Sequence, residues 1–296
     1  MEGLIARLYP YGEGEDGYAT RTVEKLENSS LMVEVKKDLP ELYGRNSRES
    51  TAPLSDVEDE GMKETVGGKG LQLTFTHGSK AGPGLLLGTD KNTCDILLPL
   101  MKGVSRCHCY LTFDKERRLI LRDCSTNGTL VTHDGKGGKK RRHFTWILGG
   151  HEVPDKTETI VIQLHAALRF QMVVAKPTFP HIYYENIDDF LRETAATTDL
   201  QFGALGIQSI ASTAAPSGTH TPNQEPILLE QETLSRGAYG VVTRVWDVSK
   251  GREYASKRFT DLRESDRVHT TELSLTACAR ILKSLIPEGA LQQFAT

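Results

Sequence analysis

The sequence predicts a mainly β protein. An antiparallel sandwich lies at its centre, a smaller β-rich unit near its C-terminal end, and looser chain before and between them. Three observations carry the prediction. Short alternating or apolar runs follow one another from Leu71 to Val174, each too short for a helix. Turn residues separate them, in a chain with 27 Gly and 12 Pro among 296 residues. No helical period interrupts this stretch, the pattern of a sandwich of roughly 100 residues.

Taken in order, residues 1–68 are polar and acidic, with 15 Asp/Glu against 8 Lys/Arg. They are expected to be largely flexible, with Leu4 to Leu8 and Leu31 to Val35 as short strands or docked pieces. The sandwich is placed at 69–176. Leu71 to Thr76 alternates as a half-buried strand does, and a Gly/Pro/Ser loop leads into Leu85 to Gly88. Further strands are read at Asp95 to Leu98, Cys107 to Phe113, Leu119 to Leu121, Thr129 to Thr132, Thr159 to Leu164 and Leu168 to Val174. Residues 177–226 read as a short helix over Asn186 to Glu193 and a flexible linker from Gly203 to Pro226. A second β pattern occupies 227–296, with strands at Val241 to Asp247 and Arg252 to Phe259 and a helix over Thr270 to Leu285.

Composition excludes some classes. A net charge of -3 gives no bulk attraction to polyanions, and no clear nucleic-acid binding is expected. Lys139 to Arg142, the end of a basic run that begins at Lys136, lacks interleaved aromatics and is read as a solvated loop, a nuclear localisation patch or a nucleic-acid contact. Five cysteines, an odd number without framework spacing, indicate reduced thiols in an intracellular protein, with the nucleus favoured over the cytoplasm. No apolar run reaches the roughly 18 residues of a spanning helix, so no membrane partner is expected. Cys107-His108-Cys109 would place its cysteines on one side of a strand and the histidine on the other, and no second ligand pair follows, so no metal site is expected.

The chemistry concentrates in two loops. A phosphorylated side chain is a dianion with three acceptor oxygens, and it is held by several donors in fixed positions. Ser105 offers a hydroxyl, Arg106 a guanidinium fork, Asn127 an amide, and the turn from Ser125 to Thr129 its backbone N–H groups. Asn127-Gly128 favours a tight turn.

Gly88, Ser105-x-x-His108 and Asn127-Gly128, in that order within an array of short strands, resemble the forkhead-associated (FHA) domain. Asp95-Ile-Leu-Leu98, Val104-Ser-Arg106 and Leu121-x-Asp123-x-Ser-Thr-Asn-Gly-Thr129 carry the same resemblance. It implies a β-sandwich that binds phosphothreonine peptides, and hence phosphothreonine-containing proteins, through loops at one end. Ser105 and Arg106 would contact phosphate or peptide backbone, and Thr126 and Asn127 the peptide main chain. Gly88, His108 and Gly128 would be architectural. The family has Arg directly after the glycine, and Thr89 stands there in this chain. Lys91, Lys102 and Arg106 are the cations that could replace that charge. The module requires no cofactor.

Leu234-Ser-Arg-Gly-Ala-Tyr-Gly-Val-Val242 with Tyr254-Ala-Ser-Lys257 is a second constellation. It resembles the start of a protein-kinase catalytic domain, a partial N-terminal lobe of strands and one helix, with Ser235 in place of the first glycine. The resemblance implies ATP near Gly237, Gly240, Val242 and Lys257, with Glu272 as a candidate partner of Lys257. Only 39 residues follow Lys257, and the sequence contains no His-Arg-Asp or Asp-Phe-Gly motif. No catalytic residue is therefore assigned. An FHA module before a kinase resembles the checkpoint-type serine/threonine kinases of the DNA-damage response, here with the look of a shortened product. The leading expectation is a non-catalytic phosphothreonine adaptor. The alternatives are a fragment of such a kinase and a plain interaction sandwich whose phosphate site has decayed. Ser55, ahead of an acidic run, and Thr219 and Thr221 before Pro222 are candidate phosphorylation positions.

Overall fold

The computed structural model describes residues 3–12, 17–35, 68–80, 82–150, 153–154, 157–177, 179–204, 225–237 and 240–259. Ser55, Thr219, Thr221, the expected helix over Thr270 to Leu285 with Glu272, and linker residues 205–224 lie outside them.

The chain opens with β1 (Leu4–Pro10), the short helix α1 (Tyr18–Val23), β2 (Met32–Val35) and β3 (Gly68–Thr74). It continues through β4 (Leu85–Gly88), β5 (Ile96–Leu97), β6 (Cys109–Phe113), β7 (Leu119–Asp123) and β8 (Leu130–His133). Then come β9 (Thr145–Gly149), β10 (Ile160–His165), β11 (Leu168–Val174) and the long helix α2 (Pro180–Ala204). The described part ends on β12 (Leu228–Gly237), β13 (Gly240–Asp247) and β14 (Glu253–Arg258).

Two sheets face each other. One has six strands in the order β2-β3-β1-β11-β10-β8, the other five in the order β5-β4-β6-β7-β9. Pairing is antiparallel except between β4 and β5, which run parallel. The expected mainly β sandwich is what the chain forms, and its first sheet begins well before residue 69. β1 is an inner strand, paired with β11 from Ala6↔Val174 to Pro10↔Phe170 and with β3 through Leu8↔Leu71. Ile5, Ala6 and Leu8 are buried, so this strand packs on its sheet rather than trailing from an acidic segment. Asn28 secures the rest of the N-terminal piece. Its side chain accepts from the N–H of Leu97 at 2.8 Å and donates to the Leu97 carbonyl at 3.0 Å. In this way a side chain satisfies backbone groups on the edge strand β5.

β9 has no counterpart among the strands expected from sequence. All five of its residues are buried, so it lacks the alternation that marks a half-exposed strand, and it directly follows the basic run. The helix expected over Asn186 to Glu193 extends over the longer α2, whose Tyr183, Ile187 and Phe190 are buried. Phe190 and Tyr183 meet Phe75 and Phe113 at centroid separations of 5.3–6.3 Å, all edge to face, and close that part of the core.

The third sheet, β12-β13-β14, is seated on the sandwich. Its apolar surface is covered by the sandwich. Ile227, Leu229, Trp246 and Val248 belong to the same buried cluster as Trp146 and Ile147. The Ile147 N–H donates to the Val248 carbonyl at 2.8 Å, so the β9 edge is partly covered by the segment following β13. Arg118 is buried, pairs with the Asp114 carboxylate at 2.7 Å and donates to the Lys250 carbonyl at 3.2 Å, clamping the β13–β14 turn. The joint is apolar at its centre and hydrogen-bonded at its margin.

Candidate binding site between the strand-connecting loops

Gly88 ends β4 at a close crossing. A Cβ there would lie 1.9 Å from the Arg106 carbonyl oxygen, so only glycine lets the 104–108 loop approach. Thr89 and Asp90 then zip to that loop, donating their N–H groups to the Ser105 and Arg106 carbonyls, each at 3.2 Å.

His108 fixes the loop from beneath. It is fully buried, and its Nδ1 accepts the Ser105 N–H at 3.1 Å, which puts the ring hydrogen on Nε2. That Nε2 is buried and has no partner among the described residues. Burial lowers the imidazole pKa to about 4; Asp123 opposes the shift, while Lys140 and His165 add to it. The histidine is a neutral brace, consistent with an architectural role.

The second loop hangs on Asp123, a residue 1% exposed. One carboxylate oxygen accepts the hydroxyls of Ser125 and Thr129, each at 2.7 Å. The other accepts the N–H groups of Ser125 at 3.2 Å and His143 at 2.9 Å. Ser125 Oγ in turn accepts the Gly128 N–H at 2.7 Å, and Gly128 takes a φ of +84° in which a Cβ would lie 2.7 Å from the Arg141 carbonyl oxygen. Glycine is required there twice over.

The loops are tied to each other. Ser105 Oγ accepts the Thr126 N–H at 3.1 Å, and Asn127 Nδ2 donates to the Gly103 carbonyl at 3.2 Å. Ser105, Thr126 and Asn127 are thereby brought together, and Arg106 follows Ser105 with its side chain 84% exposed. One expectation is corrected. The backbone N–H groups of Ser125, Thr126, Gly128 and Thr129 were read as donors to a ligand, yet each is already bonded within the protein, Thr129 to the Arg141 carbonyl at 2.9 Å. These four hold the turn in shape. Arg106, Thr126 and Asn127 are exposed, and Ser105 is half-buried beside Arg106.

Residues 85–144 match the family model of the FHA domain. No curated protein matches the chain. Among solved structures, a Rad53 fragment (residues 1–466) in complex with AMP-PNP is similar at 16% identity and a TM-score of 0.31, covering 66% of this chain. The chain spans 41% of the length of that structure. The N-terminal FHA domain of S. cerevisiae Rad53p with a phosphothreonine peptide is 18% identical, with a TM-score of 0.24, over 36% of this chain and 71% of that one. An engineered FHA with a Myc-pTBD peptide is 16% identical, with a TM-score of 0.26, over 38% and 87%.

Within residues 85–144, two carboxylates were given no role by the sequence reading. Asp123 organises the Asn127 turn, and the short Asp-x-Ser spacing, which favours local side-chain hydrogen bonds, was its signal. Asp90 holds the Arg106 guanidinium at 2.6 Å. That pairing lowers the Asp90 carboxyl pKa, helped by the Asn92 N–H, and raises that of Arg106.

The glycine-loop residues lie apart, on the third sheet. Gly237 and Gly240 pair at the end of the β12–β13 hairpin, and Lys257 sits opposite Val242. A Cβ at Gly240 would lie 2.2 Å from the Arg258 carbonyl oxygen, so close strand packing alone accounts for this glycine. Lys257 Nζ is 5.0 Å from the Phe259 ring centroid. Cys107 and His108 join no metal-competent cluster among the described residues.

His108 predicts an acid response. Its folded-state pKa near 4 lies below the ordinary 6.5, so the unfolded chain binds the extra proton between those values. Its stabilising effect is complete above about pH 6.5 and is lost as pH falls towards 4, with a slope of at most about 1.4 kcal/mol per pH unit. His133, also lowered by burial, acts in the same direction. Urea melts at pH 7 and pH 5 should show the loss, and His108→Gln should reduce it, leaving the part due to His133.

Proposed function

We propose that the chain is a phosphothreonine-peptide reader, a non-catalytic adaptor that joins phosphorylated proteins through the loops at 103–106 and 125–128. The observation that carries the reading is the cross-link between these loops, from Ser105 Oγ to the Thr126 N–H and from Asn127 to the Gly103 carbonyl, inside the stretch that matches the FHA family. It pre-positions a hydroxyl and an amide on a rigid scaffold, with the Arg106 side chain beside them, so little backbone ordering remains to oppose binding. The partners are proteins bearing phosphothreonine, recognised by charge-assisted bonds to the phosphate and hydrogen bonds to the peptide main chain. The third sheet serves this reading as a packed extension of the sandwich, and ATP has no part in it.

Calorimetric titration of a phosphothreonine peptide and its unphosphorylated twin tests the proposal. The phosphorylated form should bind at least about tenfold tighter, the worth of one charge-assisted contact. Asn127→Ala should erase most of that difference while leaving the melting temperature nearly unchanged, because Asn127 is exposed. Equal affinity for the two peptides would remove the reading.

A further inference from the structure

We propose that Asp90 is a built-in competitor for the phosphate: its carboxylate holds the Arg106 guanidinium in the free protein, and an incoming phosphothreonine must take that guanidinium over. The inference rests on reading these loops as a phosphothreonine site.

The pair is asymmetric. The Asp90 side chain is 12% exposed and that of Arg106 84%. The acid is seated by its neighbours: its second oxygen accepts the Asn92 N–H at 3.0 Å, its carbonyl accepts the Cys94 N–H at 2.9 Å, and its own N–H is bonded to the Arg106 carbonyl. The guanidinium stands in solvent at the end of a flexible side chain. An ion pair with one partner in water is weakly held, and a dianion with three oxygens outcompetes a single carboxylate for the same fork.

Asp90 stays in place when Arg106 leaves it, so its charge remains beside the bound phosphate and repels it. Thr89, just after Gly88, supplies no charge to offset this. Both effects act in one direction. Asp90 lowers the affinity that Ser105, Arg106 and Asn127 would otherwise give, and makes binding depend on a strongly charged ligand rather than on any acidic side chain.

Asp90→Asn tests this with the full chain, because an amide keeps the oxygen that Asn92 needs and removes the charge. The probe is the capped peptide Ala-Ala-pThr-Ala-Ala and its unphosphorylated twin. The variant should bind the phosphorylated probe about three- to tenfold tighter than the natural chain and the unphosphorylated probe no better. A loss of affinity would mean that Asp90 orients Arg106 for the ligand, and no change would mean that the pair survives binding; either overturns the proposal. In an Arg106→Gln background the gain from Asp90→Asn should shrink, and an undiminished gain also overturns it. If the natural chain binds both probes alike, the phosphothreonine reading fails separately. The takeover is then read from inorganic phosphate, followed on the Arg106 side-chain NMR resonance. A shift at lower phosphate concentration in Asp90→Asn supports it, and identical titrations sink it.

Discussion

Asp123→Ala should destabilise the protein by about 3–5 kcal/mol and cut phosphopeptide affinity more than tenfold in the molecules that remain folded. The carboxylate receives four hydrogen bonds in a buried setting, from the hydroxyls of Ser125 and Thr129 and the N–H groups of Ser125 and His143. Removing the acceptor strands these donors, and each buried donor left unpaired costs about 1–3 kcal/mol, the sum reduced by local relaxation. Asp123→Asn should fall between. The hydroxyls that meet one oxygen can rotate to accept from an amide, whereas the backbone N–H groups that meet the other cannot. Denaturant melts measure the stability, and peptide titration below the transition measures the loop. A variant that melts early yet binds normally would show that the Asn127 turn does not depend on this carboxylate.

Trp246→Ala should lower the stability of the whole described fold, by about 3–5 kcal/mol, rather than loosen one appended sheet. Trp246 is 0% exposed, meets the His133 ring edge to face at 5.7 Å, and packs in the cluster that holds Ile227, Leu229 and Val248. For a domain of this size the melting temperature should fall on the order of 10 °C. Trp246→Phe should cost much less, because the indole N–H is buried without a partner among the described residues and its loss offsets part of the lost volume. Calorimetry decides the matter. One transition that moves as a unit is expected, and two transitions with the sandwich unchanged would mean independent folding.

These two residues also mark how far the sequence could be read. The loop residues Ser105, Arg106, His108, Asn127 and Gly128 were legible because tight turns constrain residue type locally. Gly88 was legible through the family pattern, although its reason is a contact with Arg106, 18 positions on. Asp123 looked like one more turn residue, since its burial depends on how β6, β7 and the 141–143 segment close around it. β1 was read only as a short strand or docked piece in an acidic stretch, because its buried residues come in pairs rather than in alternation. The seat of the third sheet was illegible for another reason. Trp246 and Ile227 are visibly apolar, but nothing local says whether they cover a missing lobe or the flank of a sandwich.

The pairing of β1 with β11 has a consequence for how the chain comes to be folded. Ala6 is made well before its partner Val174, which lies far along the chain. Until then β1 has at most β3 beside it, and its other edge offers unpaired N–H and C=O groups to any strand it meets. Closure across such a sequence separation is slow, since the entropy of the intervening loop must be overcome before the contact rewards it. Refolding on the order of milliseconds to seconds is the expectation for this topology, independently of anything the finished loops bind.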